Sequence, residues 1–516
     1  MTDLTPPPSG LSAKRLFLVI ATVLVGLVLM QSLLNSWHEP QVASQLELYQ
    51  TDLLLQGSAW KGEGLPEDQW PMIRAGLLGK EPVATAQKQY EEVRQRAVDN
   101  LAKFADTSVS DPWVDEAEEG RPLPRRRPSA TAQQRVLIDQ LDLRLGLMEA
   151  YQGQVDAAIS RWGQVRNSEQ APAALVRTAD TLMRLWQGQP TTPEDEAWLR
   201  QNLQGWFEYR ALDQLLAVQG RPGDRQQLQA QEQRIAQRKL LKLVLVSGLP
   251  TLGALVGVGL MIGLLLQRLL QGEKSLLGQT AIAGWAIPWD AETIWQVLIL
   301  GFFFVGQILL PLVLAGLGLG AAGLSNRGRA FLSLGYYLLM AAGGLGVLWW
   351  SIRPYRPLPA GLFRLKPSLR GVLWGVGGYL VALPLMFGVA LLNERIWQGQ
   401  GGSNPLLQTV LEERDPVALG VFFITAALAA PVFEETLFRG FLLPSLTKYM
   451  AVGWAIALSG LIFAAAHLSL SEVLPLTLLG CMLGLVYTRS GNLLSPMLLH
   501  SLWNSATMLG LLILGS

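Results

Sequence analysis

Cysteine, histidine and charged residues are all scarce in this chain of 516 residues. The single cysteine, Cys481, excludes an internal disulfide and a zinc cage of several cysteines. Only 16% of the residues are charged, whereas a soluble globular chain has about 25%, so we expect much of the chain to lie in a lipid bilayer. A formal net charge of +1 gives no support to nucleic-acid binding. Of the three histidines, His467 and His500 lie in apolar segments, which makes them candidate functional residues.

Nine apolar segments are predicted to be membrane-spanning helices. The first, Leu16–Leu34, follows Lys14 and Arg15, and we interpret it as a retained anchor because no small-residue cleavage site follows it. The other eight lie near 240–266, 294–319, 331–351, 371–392, 417–443, 452–468, 474–488 and 494–514. Since the fifth of these is too long for one straight span, we predict a break near Pro431 or Pro444. The predicted fold class is all-α: a polytopic transmembrane helix bundle with an inserted helical soluble domain.

Composition divides the chain into four predicted parts. They are a tail and anchor (1–34), a helical soluble domain (35–239), a transmembrane helix with a connector (240–290) and a main membrane domain (291–516). Within the soluble domain, Glu119–Ser129 contains several Pro and Arg residues and is predicted to be an exposed linker. Residues Ala150–Gly153, followed by Ala157, Ala158 and Trp162, faintly resemble one tetratricopeptide helix pair, which is compatible with a protein partner for this domain. A helical spacer without a partner is the alternative.

The distribution of basic residues among the loops predicts the topology. The loop between the fourth and fifth spans carries five Lys or Arg residues and no acid, whereas acids outnumber basic residues in the next loop. By the positive-inside rule the first of these loops is cytoplasmic, which places Lys14, Arg15, Lys448 and Arg489 inside as well. The domain 35–239 is then predicted to be extracytoplasmic. A basic cluster on the predicted outer side of the second span disagrees with this topology: Arg234, Arg238, Lys239 and Lys242.

Three charged residues interrupt the apolar run that begins near residue 417. Each acidic or basic residue at the centre of a membrane helix costs about 2.5–3.5 kcal/mol. Glu435 and Arg439 are one helical turn apart and can form an ion pair. Glu434 is rotated about 100° from Glu435 on a helix, so one cation cannot easily serve both carboxylates. The second carboxylate therefore indicates a functional site.

The next apolar segments add imidazoles and a carboxamide. His467 follows Phe463 by four residues, and His500 and Asn504 share one face of the last segment. Counted along straight helices from the nearest loops on one side, Glu434 and these three groups lie at broadly comparable depths. Three helices therefore present polar groups that can form one buried site.

Two kinds of chemistry fit this set of residues. In one, Glu434 and His467 share a water and take its proton, while His500 and Asn504 donate hydrogen bonds to the oxyanion formed from an amide carbonyl. In the other, Glu434, His467 and His500 bind one zinc ion and leave a position open for water. Both mechanisms end in peptide-bond hydrolysis, and the residues alone leave both open.

Three motifs, in this order on successive membrane segments, resemble the CPBP family of intramembrane endopeptidases, also called the Abi or CAAX-protease family. They are Glu434–Gly440, Phe463-x-x-x-His467 and His500-x-x-x-Asn504. The resemblance covers roughly residues 290–516, and it implies a helix bundle with a site that opens laterally or to the cytoplasm. Family members are commonly labelled metallopeptidases, although a metal-free glutamate mechanism is the alternative.

The resemblance also implies residue roles. Glu434 and His467 become the water-activating pair, His500 and Asn504 stabilise the oxyanion, and Glu435 and Arg439 support the site. It further implies a membrane-associated protein or peptide substrate, prenylated in the case of CAAX tails. We expect an integral, multi-pass protein of a bacterial inner or internal membrane.

Two other functions compete with the protease. A transporter or channel can use Glu434, Glu435 and Arg439 to line a polar pathway, although the sequence contains no second copy of the Glu-Glu segment, as an internal repeat requires. A non-catalytic adaptor, immunity protein or scaffold of the same family can use the domain 35–239 to hold a partner.

Overall fold

The computed structural model describes residues 12–37, 42–66, 68–107, 130–279, 286–320 and 323–515. The regular secondary structure of these residues is helical and includes no β-strand, so the predicted all-α class is confirmed. The predicted linker Glu119–Ser129 lies outside the described residues. The chain forms two compact units, of which one comprises Ala43–Ser247 and the other comprises Met1–Val42 together with Gly248–Ser516.

The unit Ala43–Ser247 follows the first helix, α1 (Ala13–Trp37). Its helices are α2 (Val42–Ser58), α3 (Trp70–Leu78), α4 (Pro82–Thr107), α5 (Ala130–Tyr151), α6 (Val155–Arg166), α7 (Ala173–Trp186), α8 (Pro193–Asn202), α9 (Gly205–Val218) and α10 (Pro222–Leu243). Trp162 of α6 is fully buried and donates from Nε1 to the carbonyl of Leu143 at 3.1 Å. A Cβ atom on Gly146 would lie only 2.4 Å from that Nε1. The Trp162 ring of α6 therefore packs against α5 at a position where only glycine leaves enough space. A tetratricopeptide-like partner site in this unit stays a prediction.

The other unit contains most of the apolar helices. After α1 its helices are α11 (Leu249–Gln271), α12 (Ala291–Gln296), α13 (Leu310–Gly316), α14 (Asn326–Ile352), α15 (Leu369–Trp397), α16 (Pro405–Glu412), α17 (Pro416–Ile424), α18 (Ala430–Glu435), α19 (Leu443–Leu446), α20 (Val452–Ala465), α21 (Leu470–Ser490) and α22 (Leu494–Gly515). Caps define several helix starts. For example, the Asp415 carboxylate accepts from the Val417 and Ala418 backbone N–H groups ahead of α17.

Eight helical stretches among the described residues are long and apolar enough to cross a membrane, one fewer than predicted. They are Ala13–Trp37, Pro222–Lys274, Ala291–Gly316, Asn326–Tyr355, Leu369–Trp397, Pro416–Leu446, Leu470–Ser490 and Leu494–Gly515. The predicted span at 452–468 corresponds to α20, which has only 14 residues. A helix of that length rises about 21 Å, less than the hydrocarbon core of about 30 Å. Consequently α20 ends inside the bundle, and His467 lies just beyond that end.

Proline residues shape the long helices through widened turns. The stretch Pro416–Leu446 is one helical run, so the predicted break at Pro431 or Pro444 is wrong. Instead, a π-helical segment precedes each of these prolines, because a wider turn moves the carbonyl that would collide with the proline ring. The same relation recurs at four places: Val244–Gly248 before Pro250, Val297–Leu309 before Pro311, Thr425–Ala429 before Pro431 and Thr436–Leu442 before Pro444.

A close helix contact in the membrane unit joins α20 and α21. An ideal Cβ on Gly480 would lie 2.6 Å from the Cα atom of Gly460, so only glycine permits this approach. The contact matters for function because α20 carries Phe463 towards the turn that holds His467.

We predict that Gly480→Ala destabilises the membrane unit by about 1–3 kcal/mol, the usual cost of overpacking. Thermal unfolding of the detergent-solubilised protein measures the effect. Gly510→Ala in α22 is the matched control, because no atom lies within 4 Å of the Cβ it would add. Equal melting temperatures for the two variants would contradict the proposed contact.

Candidate active site

The adjacent carboxylates of α18 point to different surroundings. Glu435 is fully buried, whereas the Glu434 side chain is 14% exposed and lines a cavity of about 1300 Å³. The two side chains diverge because consecutive helical residues differ by about 100° in direction. The short helix α18 lies between the π-helical segments Thr425–Ala429 and Thr436–Leu442.

Glu435 is the centre of a buried polar cluster. Its Oε1 accepts from Arg439 Nη1 at 2.7 Å and from His500 Nδ1 at 2.9 Å. Arg439 is itself fully buried and donates from Nη2 to the carbonyl of Gly480 at 3.1 Å. The cluster therefore connects α18, α21 and α22 through directed hydrogen bonds.

The second nitrogen of His500 lies on the side of Glu434. His500 Nε2 is 4.0 Å from Glu434 Oε2, and the imidazole is almost completely buried. Since the Glu435 carboxylate accepts at Nδ1, this contact fixes the plane of the ring and directs Nε2 to the cavity. Glu435 thus orients the imidazole that Glu434 faces.

Tyr337 holds the other oxygen of Glu434, a contact that was not predicted from the sequence. Its hydroxyl donates to Glu434 Oε1 at 3.0 Å, while Glu434 Oε2 has no hydrogen-bond partner among the described protein groups. The sequence feature that could have pointed to this contact is the pair Tyr336-Tyr337, two polar hydroxyl groups in an apolar helix. Tyr336 lines the same cavity, but its hydroxyl donates to the carbonyl of Gly306, so the pattern alone cannot tell which tyrosine bonds to Glu434.

Phe463 supports His467 in two ways. The Phe463 carbonyl accepts from His467 Nδ1 at 2.9 Å, so Nδ1 carries the proton and Nε2 of the neutral ring is an acceptor. The Phe463 ring lies 4.9 Å from the ring of His467 and 5.8 Å from that of His500, centroid to centroid. The Arg439 guanidinium lies 4.6 Å from the same ring. Phe463 therefore packs between the buried ion pair and both histidines.

The turn after His467 is held by a helix far away in sequence. Leu468 adopts a left-handed backbone with φ of 60°, which disfavours a branched side chain. The next residues are fixed because the Leu470 backbone N–H donates to Ser36 Oγ at 3.1 Å. Ser36, near the end of α1, in turn donates to the carbonyl of Gly401 at 2.5 Å. The N-terminal helix thus contributes to the placement of His467.

Asn504 completes the group around the cavity. Its Nδ2 donates to the carbonyl of Ala426 at 2.7 Å, which leaves the second amide hydrogen for another acceptor. Of the six predicted site residues, four line the cavity together, namely Glu434, His467, His500 and Asn504. Glu435 and Arg439 do not line it; they are buried behind the others and hold them.

The predicted zinc site of Glu434, His467 and His500 stays a prediction. Among the described residues, no group of three or more His, Cys, Asp and Glu side chains is arranged to hold a metal ion. The Nδ1 atoms of His467 and His500 contact Phe463 and Glu435, which leaves Nε2 of each ring for a water or another partner.

The buried pair leads to a prediction about stability. Glu435→Gln or Arg439→Gln alone leaves an uncompensated buried charge, and each should cost about 3–5 kcal/mol. The double variant removes both charges, so it should lose less than the sum of the single losses. Melting temperatures of the three purified variants measure the coupling. Additive losses would show that the two side chains do not stabilise each other.

Comparisons with known proteins cover the C-terminal part of the chain. Residues 416–506 match the family model "Type II CAAX prenyl endopeptidase Rce1-like". A 24.3 kDa uncharacterized protein of Escherichia coli is 34% identical over 147 residues, which are 28% of this chain and 64% of that protein. The "Putative membrane peptidase YdiL" of Bacillus subtilis (strain 168) is 26% identical over 134 residues, or 26% of this chain and 54% of that protein.

The chain thus spans a little over half of the length of these two curated relatives. No solved structure matches it with significance. The matched relatives and the eight apolar helices together support an integral, multi-pass membrane protein. Residues 416–506 contain all six site residues, and their match to the Rce1-like family of CAAX endopeptidases confirms the family resemblance predicted from the sequence.

Proposed function

We propose that the chain is an intramembrane endopeptidase that uses water activated by Glu434 and His467. At the level of the family, the match supports a CAAX-type protease of the membrane. The observation that carries the proposal is that the Glu434 carboxylate lines the cavity and that its Oε2 has no hydrogen-bond partner among the described protein groups. A general base needs such a free lone pair.

The proposed reaction begins when a water donates one hydrogen bond to Glu434 Oε2 and the other to His467 Nε2. Glu434 takes a proton as the water oxygen attacks the carbonyl carbon of the scissile peptide bond. The C–O bond forms while the electron pair of the carbonyl moves to oxygen. When the tetrahedral intermediate collapses, the C–N bond breaks and protonated Glu434 returns its proton to the leaving amine.

The negative oxygen of that intermediate requires donors. Asn504 can supply its second amide hydrogen, since the first is engaged by Ala426. His500 can donate from Nε2 when both of its ring nitrogens carry protons, because Nδ1 is already bonded to Glu435. Both residues lie on one face of α22, four positions apart. The substrate is proposed to be a membrane-associated protein or peptide, with the bilayer as its surroundings.

The central test removes the base and its partner. Glu434→Gln and His467→Ala should abolish peptide hydrolysis and leave the fold intact, because both residues act on the transition state. Asn504→Ala should reduce the rate by about 10²–10³, as for loss of one oxyanion donor. Purified protein in detergent is incubated with a peptide library, and mass spectrometry identifies the products.

Glu273→Gln is the matched control, because this carboxylate is exposed and pairs with Arg268. Cleavage by the Glu434→Gln protein at the wild-type rate would refute the assignment. Activity that survives a chelator favours the glutamate mechanism, whereas activity lost to the chelator and restored by zinc favours the metal. A wild-type protein without any hydrolysis would favour the adaptor.

Tyr337 gives a second test, because its hydroxyl positions Glu434. A hydrogen bond to a charged group contributes about 1.5–3 kcal/mol. Tyr337→Phe should therefore lower kcat by about 10- to 100-fold, with little change in KM, since the hydroxyl does not contact substrate in this mechanism.

Tyr336→Phe provides a control of identical chemistry at the neighbouring position. Its hydroxyl donates to the backbone of Gly306, so kcat should stay near the wild-type value. Steady-state kinetics of both variants, with melting temperatures to show equal folding, separate positioning from stability. Equal kcat values for the two variants would show that Tyr337 does not position the base.

A further inference from the structure

One end of the membrane unit gathers most of its basic loop residues. Contacts between loops show that they share this end: Lys448 Nζ donates to the carbonyl of Trp289 at 2.5 Å, and the Lys366 backbone N–H donates to Asn492 Oδ1 at 3.2 Å. Arg15 pairs with Glu292, two residues after the Asp290 cap. We call this the basic end. Its basic residues are Lys14, Arg15, Arg268, Lys274, Arg353, Arg356, Arg364, Lys366, Arg370, Lys448 and Arg489.

The active-site cavity does not extend to the basic end. Among the described residues, none of its lining side chains comes from the loops 353–368, 447–451 or 491–493. Phe438 and Phe463, with ring centroids 5.3 Å apart, lie beside the catalytic group on that side. The fully buried pair Glu435–Arg439 packs behind them. Aromatic rings and a buried ion pair thus close the cavity towards the basic end.

The cavity continues instead to the opposite end of the bundle. There its wall includes polar side chains at the start of α14 and in the segment before α17, namely Asn326, Arg329, Asn404, Thr409 and Glu413. This end has charges of both signs: Arg327 pairs with Asp415, and the Glu413 carboxylate accepts from Asn326 Nδ2 at 3.0 Å. Between this polar rim and the catalytic group the lining includes the apolar side chains of Leu332, Leu406 and Leu407.

The length of the cavity limits what it can hold. Asn326 and Tyr337 both belong to α14, and eleven residues separate them, which corresponds to about 16 Å along a helix. An extended peptide covers that distance with about five residues. The occupant therefore has a short extended stretch that is apolar near the scissile bond and polar where it leaves the bundle.

We propose that substrates enter from the end opposite the basic end, on the extracytoplasmic side, in contrast to the lateral or cytoplasmic opening that the family resemblance implies. The basic loops assign the cytoplasmic side through the positive-inside rule. The substrate class is then a peptide segment at the extracytoplasmic boundary of the bilayer, about five residues of which extend from the rim to Glu434. This inference rests on the proposed function, because only a protease makes the bound peptide a substrate. The route into the cavity can nevertheless be tested without catalysis.

Accessibility of a single cysteine tests the route. In a Cys481→Ala background, Ser333→Cys places a thiol of nearly the same size on the cavity wall, between Arg329 and Tyr337. Ala360→Cys places the matched control in an exposed position of the loop 353–368 at the basic end. Intact bacterial cells that express each variant are treated with a membrane-impermeant thiol reagent, and labelling is compared with that of permeabilised cells.

We expect Ser333→Cys to be labelled in intact cells and Ala360→Cys only after permeabilisation. Labelling of Ala360→Cys alone in intact cells would reverse the topology and overturn the proposal. Failure of both variants to label in intact cells would also overturn it, because the cavity would then be closed on the outside. The same labelling in a Glu434→Gln background keeps the access result separate from hydrolysis. If Ser333→Cys is labelled in intact cells but the wild-type protein hydrolyses no peptide, the proposed protease activity is refuted and the proposed access route is retained.

Discussion

The buried ion pair between Glu435 and Arg439 is the interaction on which the site depends. Both side chains are fully buried, so neither charge is stabilised by water. Each partner also makes further contacts: Glu435 accepts from His500, and Arg439 donates to Gly480 and lies against the Phe463 ring. One pair therefore fixes the relative positions of α18, α20, α21 and α22. An uncompensated charge here would disturb every helix that carries a predicted catalytic group.

Two adjacent carboxylates in one helix have different roles because of helix geometry. The rotation of about 100° between neighbours sends Glu435 to the cations and Glu434 to the cavity. Their hydrogen bonds differ accordingly. Glu435 receives an arginine and an imidazole on Oε1, whereas Glu434 receives a single tyrosine hydroxyl on Oε1, and the Oε2 atom of each has no partner among the described protein groups. What separates them is access: Glu435 is buried between Arg439 and His500 and orients them, whereas Glu434 lines the cavity, where a carboxylate can take a proton from water.

The sequence was sufficient for the helical class, the i, i+4 pair and four of the polar residues that line the cavity, because hydropathy and helical period depend on local composition. It was insufficient where the outcome depends on packing. The presence of Pro431 predicted a helix break, but the π-helical segment before it accommodates the proline ring and the helix continues. The apolar character of 452–468 predicted a span, yet α20 ends after 14 residues. Tyr337 was missed because only the rotation of α14 against α18 distinguishes it from Tyr336.

Helices outside the matched segment 416–506 complete the candidate site. Tyr337 of α14 holds the Glu434 carboxylate, and Ser36 of α1 holds the turn that follows His467. The first helix is therefore more than an anchor: Ser36 joins the carbonyl of Gly401 to the backbone of Leu470 in a place where water is scarce. A hydrogen bond of this kind is costly to leave unmade once its groups are buried. The three motifs consequently need the remainder of the bundle to reach their geometry, and a match to the motifs alone describes only part of the candidate site.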